Sequence, residues 1–384
     1  MANKKKKNQK KSNISNINKK MKSEKYIPSE SNKDILKKLL KIFLITRLVL
    51  IIALIVSEWA LSNTDISAYK HVFDLFDNEH YLNIANNGYT YMHEFAFFPL
   101  TPILIRYLGK IGFLILNHVC VFFSGYLMYL MSRDISSEEN NYWLPLFFFI
   151  SPISVFTCMF YSEAVFLFLT IFAFYLYKKK KNYLILGITL GLSVLNRSLG
   201  SMLFFTIFIF MFINFIKKKE KFKNILITFI PATIISCLYP LYLYEKTGDL
   251  LYFMTVQYEH WGRINTNIFI IFFDAFRLLL KNPVFGHIVD YVVVFSLIFY
   301  IFYYIIKNRK ESKYYEMFLY IVLSSFAICS TIRNNADAFA SFYRYIFACF
   351  PLYFMMKKNT YTFILIILYT VFVTYFFLGG MYYF

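Results

Sequence analysis

Ile42-Phe43-Leu44-Ile45-Thr46-Arg47-Leu48-Val49-Leu50-Ile51-Ile52-Ala53-Leu54-Ile55-Val56-Ser57-Glu58-Trp59-Ala60-Leu61 is the stretch whose reading decides the fold. As a helix rising 1.5 Å per residue it is about 30 Å long, the thickness of a bilayer's hydrocarbon core. Before it, Met1 to Lys41 carries 14 lysines. Lysine-rich flanks stay in the cytosol under the positive-inside rule, and no small-residue cleavage site follows the apolar run. The stretch therefore reads as a signal anchor. Residues 1–41 read as a basic, disordered cytosolic tail, able to rest on anionic lipid.

Similar apolar blocks recur along the chain. Of its 384 residues, 58% are hydrophobic, 22% aromatic and only 16% charged, against about 25% charged in soluble domains. This predicts an all-α polytopic membrane protein with a multi-pass domain over 42–384 and no sizeable soluble domain. A net charge of +19 would suggest nucleic acid as the partner of a soluble chain. Here the lysines cluster at the ends of apolar blocks, so nucleic acid is excluded. Cys120, Cys158, Cys237, Cys329 and Cys349 lie singly inside such blocks, as buried hydrophobes do, and form neither a disulfide framework nor a metal motif.

From the anchor the chain can be threaded. The first span exits to the far side, and the loop 62–110 lies there, with Phe95 to Tyr107 apolar enough to dip back. A span over about 111–131 returns to a short cytosolic turn. Trp143 to Tyr177 would make a helix of about 52 Å, too long for one crossing. It contains Ser151-Pro152 and Tyr161-Ser162-Glu163, so two short crossings with a far-side turn are expected. Tyr183 to Ile216 repeats that pattern around Asn196-Arg197-Ser198. Asn224 to Tyr244 crosses outward to a second long far-side region, Glu245 to His287. Spans near 288–306 and 360–378 frame two more crossings with Arg333 to Arg344 between them. The count is about eight to eleven crossings. The cytosolic side collects a net charge of +22 and the far side −3, so an orientation taken from the first segment predicts the whole asymmetry.

Most of the unusual polar residues fall on the far side: Asp77, Glu79, His80, Glu163, Arg197, Glu259, Arg263, Arg333, Asp337 and Arg344. Ionisable groups at membrane depth cost about 2.5–3.5 kcal/mol each on insertion scales, so a convergent set marks a site. On a helix from Asp77 to Asn86, Asp77 and His80 share a face at i,i+3, while Glu79 meets Asn83 at i,i+4. A carboxylate beside an imidazole suits general base chemistry. Arg197, with Arg333 or Arg344, suits phosphate, which guanidinium grips bidentately. Tyr81, Tyr89, Phe97, Phe98, Tyr161 and Trp261 are candidates for stacking on sugar. Together these describe group transfer from a lipid phosphate. No Walker loop, Gly-rich dinucleotide turn, Cys/His metal spacing or Gly-x-Ser-x-Gly is present.

The run Phe76-Asp77-Asn78-Glu79-His80-Tyr81-Leu82-x-Ile84-Ala85, then Gly88-Tyr89 and Ala96-Phe97-Phe98-Pro99, resembles the first lumenal loop of the PIG-V family. Ser151-Pro152-x-Ser154-Val155-Phe156, Tyr161-Ser162-Glu163 and Arg197-Ser198-x-Gly200 are similar to its later motifs. Phe76 stands where the family usually has Trp, and Leu199 where it has Asn. The resemblance implies a GT-C-like bundle in the endoplasmic reticulum membrane, with a catalytic first lumenal loop and the N-terminus cytosolic. It implies mannose transfer from dolichyl phosphate mannose to a GPI-precursor glycolipid, forming an α-1,6 link. Asp77 becomes the preferred base, with Glu79 and His80 beside it. Arg197, Glu163, Tyr161, Ser162, Tyr89, Phe97, Phe98, Trp261 and Arg344 become the donor-phosphate and substrate residues. No metal ligands are assigned, and divalent-metal assistance and a small membrane partner subunit are left open. Two rival readings stand. One is a prokaryotic-type enzyme of the cell membrane using another polyprenyl phosphate sugar for an envelope lipid. The other, a transporter, would spread charges through both halves of the membrane.

Overall fold

The computed structural model describes residues 31–62, 76–136, 141–265, 267–281, 285–333 and 342–378. The expectations for Met1 to Glu30, for residues 63–75 of the first loop and for Asp337 lie outside the described residues. The chain divides into two compact units, Met1–Lys38 and Leu39–Phe384. In the first, Ser31 Oγ accepts a hydrogen bond from the Asp34 backbone N–H at 3.2 Å and donates to its carboxylate at 2.6 Å, capping a helix start. That helix, α1 (Asn32–Ser62), corrects the tail expected over 1–41. Residues 32–41 are helical, because Ile35, Leu36, Leu39 and Leu40 extend the apolar periodicity back between the lysines.

In the second unit α1 turns an apolar face outward. Leu48, Val49 and Ile55 are each about 60% exposed, as are Ile234 and Leu368 on later helices. Continuous apolar faces of this extent belong in lipid, and the protein is an all-α membrane protein. The inward face of α1 carries Arg47, whose Nη1 donates to Thr157 Oγ1 at 2.9 Å and to the Ser154 carbonyl at 3.3 Å.

After α2 (Asp77–Asn87) and a 3₁₀ turn (Met92–Ala96) comes α3 (Leu100–Ser136). It breaks at Gly109, whose φ of +70° is left-handed and suits glycine. The expected re-entrant segment and the following span are thus one broken helix. The expected 35-residue double crossing appears as α4 (Trp143–Ile150), α5 (Ile153–Phe156) and α6 (Glu163–Lys178). Its first arm is only a short helix, because Pro152 and the coil around Tyr161 interrupt it. Buried on nearly every side, α6 is the central post of the bundle.

The pair α7 (Tyr183–Asn196) and α8 (Gly200–Ile216) breaks at Arg197 as expected. Next, α9 (Phe222–Thr247) packs tightly on α7. A Cβ on Gly187 would lie 2.1 Å from the Thr228 carbonyl oxygen, and one on Gly191 2.7 Å from Ile235 Cβ. Small residues four apart let two backbones meet this closely in a membrane. The remainder is α10 (Tyr252–Glu259), α11 (Ile268–Lys281), α12 (Phe285–Lys307), α13 (Tyr315–Cys329), α14 (Phe342–Phe347), α15 (Pro351–Met355) and α16 (Thr360–Leu378). One antiparallel ladder, β1 (Arg263–Asn265) with β2 (Thr331–Arg333), sets Arg263 opposite Arg333. Among the described residues three helices are long and apolar enough to cross a membrane alone: Asn32–Val56, Leu100–Asp134 and Phe222–Thr247. The other expected crossings are shorter or broken helices.

Candidate active site

Asp77 opens α2, directly after Phe76, whose φ of +52° is unusual for a residue with a side chain. A carboxylate in the first turn meets the positive end of the helix dipole. Asn78 anchors this turn. It is fully buried, and its Oδ1 accepts the Phe160 backbone N–H at 2.8 Å. The opening of α2 is thereby fastened to the coil leading into α6.

Four charged side chains from distant elements meet there. Arg344 Nη1 on α14 lies 2.7 Å from Asp77 Oδ2. The Arg344 Nε also donates to Glu163 at the start of α6, and Arg197 after α7 donates to the same Glu163 oxygen. Arg197 is aimed by its neighbours. Asn196, fully buried, donates to the Ser162 carbonyl at 2.9 Å and accepts from Thr101 Oγ1 at 2.8 Å. Arg197 Nη1 also donates to Ser162 Oγ at 3.2 Å. The ring of Tyr161 lies 4.4 Å from the Arg344 guanidinium carbon, a cation–π contact in a buried setting.

Tyr345 gathers the guanidinium groups. Arg197, Arg263 and Arg344 stand 5.1, 5.6 and 5.8 Å from its ring centroid, and Arg263 Nη2 donates to its hydroxyl at 3.2 Å. Among the described residues, two carboxylates balance Arg197 and Arg344, so Arg263 leaves the cluster one positive charge in excess. A cluster of that sign favours an added anion. The side chains of Glu163, Arg344 and Asp77 are 0%, 3% and 18% exposed. Asp77 is the carboxylate of this network that another molecule can touch, while Glu163 holds the two arginines together.

The structure thus brings together Asp77, Tyr161, Ser162, Glu163, Arg197 and Arg344 from the expected set. Glu79 is exposed. Asn83, expected to meet Glu79, gives its amide protons to Glu94 and Thr90. Burial lowers the His80 pKa from its ordinary value, outweighing the opposing pull of Asp77. At neutral pH its imidazole is therefore mainly neutral.

Three of the expected stacking rings are otherwise engaged. Tyr89 donates its hydroxyl to the Phe97 carbonyl at 2.7 Å and stacks on Phe95 with ring centroids 5.1 Å apart. Phe98 is buried between Tyr239 and Phe253. Phe97 packs between Tyr81 and His80. These rings shape the loop because their edges and hydroxyls are committed to its own backbone and neighbours. Half-buried Trp261 stands 5.4 Å from the His80 ring centroid and stays with the site. Sequence reasoning missed Tyr345, Asn78 and Asn196 and gave Arg263 no role. Their only signal was an adjacent charged motif residue, in Asn78 beside Asp77, Asn196 beside Arg197, and Tyr345 beside Arg344.

A family model described as Mannosyltransferase (PIG-V) matches residues 61–245, which contain Asp77, Glu163 and Arg197. GPI mannosyltransferase 2 of Drosophila pseudoobscura pseudoobscura is 28% identical over 110 residues, covering 24% of this chain and 24% of that protein. GPI alpha-1,6-mannosyltransferase 2 of Mus musculus is 33% identical over 112 residues, and that of Homo sapiens 31% over 112, each covering 25% of this chain and 23% of the relative. The matched stretch thus spans about a quarter of the length of these curated relatives. No solved structure matches. Residues 61–245, just under half of the chain, are thus similar to the PIG-V mannosyltransferase family, and three residues of the ion network, Asp77, Glu163 and Arg197, lie within them.

Proposed function

We propose that this protein is a GPI mannosyltransferase that adds the second mannose, α-1,6-linked, to the mannosyl-glucosaminyl-phosphatidylinositol precursor. The donor is dolichyl phosphate mannose, and the reaction takes place on the lumenal face of the endoplasmic reticulum membrane. The observation that carries this reading is the unequal exposure of the two carboxylates sharing Arg344, with only Asp77 reachable. The names of the matched relatives, GPI mannosyltransferase 2 and GPI alpha-1,6-mannosyltransferase 2, support the choice of mannose and of the α-1,6 link.

Chemically, the transfer is a single inverting displacement. Asp77 takes the proton of the acceptor hydroxyl as that oxygen bonds to the anomeric carbon. The bond from that carbon to the phosphate oxygen breaks, and its electron pair stays with the phosphate. The transition state has oxocarbenium character, as in inverting glycosidases. A phosphate monoester leaves as a stable anion, so no general acid is needed. Arg197 and Arg263 around Tyr345 stabilise that charge, a task preorganised donors perform at low reorganisation cost. Glu163 is a positioning residue, since it is buried and acts through the arginines.

The test is complementation of cells that lack the second GPI mannosyltransferase and accumulate the one-mannose precursor. Expression of this chain should convert the radiolabelled one-mannose species to the two-mannose species. Persistence of the one-mannose species, with the chain present in the membrane, would refute the assignment.

A further inference from the structure

Beside the arginine network lies a second cluster that the displacement does not use. His80 on α2, with His93 and Glu94 on the 3₁₀ turn, each bring one ligand atom to within 4.8 Å of the other two. The His80 and His93 rings meet edge to face at 5.1 Å, and neither imidazole is committed to a hydrogen bond among the described residues.

Glu94 differs, because it is buried and held from several sides. Its Oε2 accepts from the Thr90 N–H at 2.8 Å, the Tyr91 N–H at 3.0 Å and Thr90 Oγ1 at 3.3 Å, while its Oε1 accepts from Asn83. Oε1 therefore keeps a lone pair, since each carboxylate oxygen can accept about two bonds. Carboxylates that ligate metals are commonly fixed by such outer hydrogen bonds. The wall opposite is Trp261. Its ring lies 5.4 Å from that of His80, and its Nε1 donates to the His93 carbonyl at 3.2 Å. That bond holds the backbone carrying His93.

We propose that His80, His93 and Glu94 bind one divalent transition-metal ion, zinc being the ion their chemistry matches best. Two imidazoles and one carboxylate form the donor set of an open tetrahedral zinc site, with a fourth position for water or a phosphate oxygen. Calcium and magnesium prefer shells made of oxygen. Zinc–ligand bonds of about 2.0–2.1 Å place tetrahedral ligand atoms about 3.4 Å apart. Closing from 4.8 Å takes rotation of the two rings about their side-chain bonds. His80 lies one helical turn from Asp77, the carboxylate assigned as base. The metal site stands on its own residues and survives if the mannosyltransferase reading fails.

The test uses the full-length protein, purified in detergent and stripped by a chelator, then titrated with Zn²⁺ against a chromophoric zinc indicator. The wild type should bind one zinc per chain, and zinc should raise its thermal unfolding midpoint. His93→Ala and His80→Ala should bind at least about a hundredfold more weakly, beyond the roughly 10–100-fold cost of losing an outer orienting partner. Zinc should leave their midpoints unmoved. Metal-free His93→Ala should unfold at the metal-free wild-type midpoint, and His93→Gln is the second variant if it does not. Asp77→Asn should retain zinc binding, which separates the two readings. Equal zinc affinity in wild type and His93 variants, or less than one equivalent in the wild type, would overturn the proposal.

Discussion

Two regions around the candidate site are built in opposite ways. The network of Asp77, Arg344, Glu163 and Arg197 is assembled from four elements, with Arg344 181 positions along the chain from its partner Glu163. The loop from Asn83 to Phe97 is assembled from its neighbours, with Glu94 taking donors three, four and eleven residues away. The network depends on the whole bundle standing correctly, whereas the loop largely organises itself. Charge does the first task and local hydrogen bonds the second. Chemistry is expected where the distant elements meet.

Breaking the network should have the largest effect. Glu163→Gln leaves Arg197 and Arg344 buried without their shared carboxylate, and loss of one partner of a buried ion pair costs about 3–5 kcal/mol. Thermal unfolding in detergent should show it as a large fall in midpoint, together with loss of transfer. Glu94→Gln is the matching break in the loop. Its carboxylate accepts from two backbone N–H groups, and weakening buried bonds of this kind costs about 1–3 kcal/mol. Proteolysis around residues 88–97 should rise while the rest of the bundle stays intact, and a global collapse would contradict the local character of the loop.

The smallest expected effect comes at the seam between the loop and the bundle. Tyr239 on α9 donates its hydroxyl to the Phe95 carbonyl at 2.7 Å. Tyr239→Phe removes that hydroxyl, whose hydrogen bonds are worth about 0.5–1.5 kcal/mol each. Its unfolding midpoint should fall slightly and transfer should persist. A loss as large as that of Glu163→Gln would show that the loop is not self-organised.

The same contrast explains what was legible in the sequence. Long apolar helices such as α1 and α9 follow from composition and lysine flanks, since lipid requires backbone bonds within one segment. The break at Arg197 could be read too, because a polar triplet interrupts an apolar block too long to cross once. The α1 start at Asn32 was hidden, because lysines between leucines look like a tail until Ser31 caps them. Asp77, Glu163 and Arg197 were recognisable from their motifs, but nothing in a linear pattern pairs Arg344 with both carboxylates. Only i,i+3 and i,i+4 neighbours leave such a trace on a helix. Arg263 gained its place through a ladder with residues 331–333, a contact between segments distant in sequence. Aromatics such as Tyr89 and Phe98 misled, since 22% of the chain is aromatic and packing claims most of those rings.

The central claim is that one carboxylate of the shared pair does chemistry and the other holds the site together. Asp77→Asn, expressed in cells that accumulate the one-mannose precursor, tests it most directly. Transfer should fall by about 10²–10⁴-fold, the usual worth of a general base, while the chain remains in the membrane and unfolds near the wild-type midpoint. Normal conversion to the two-mannose species by Asp77→Asn would contradict the account.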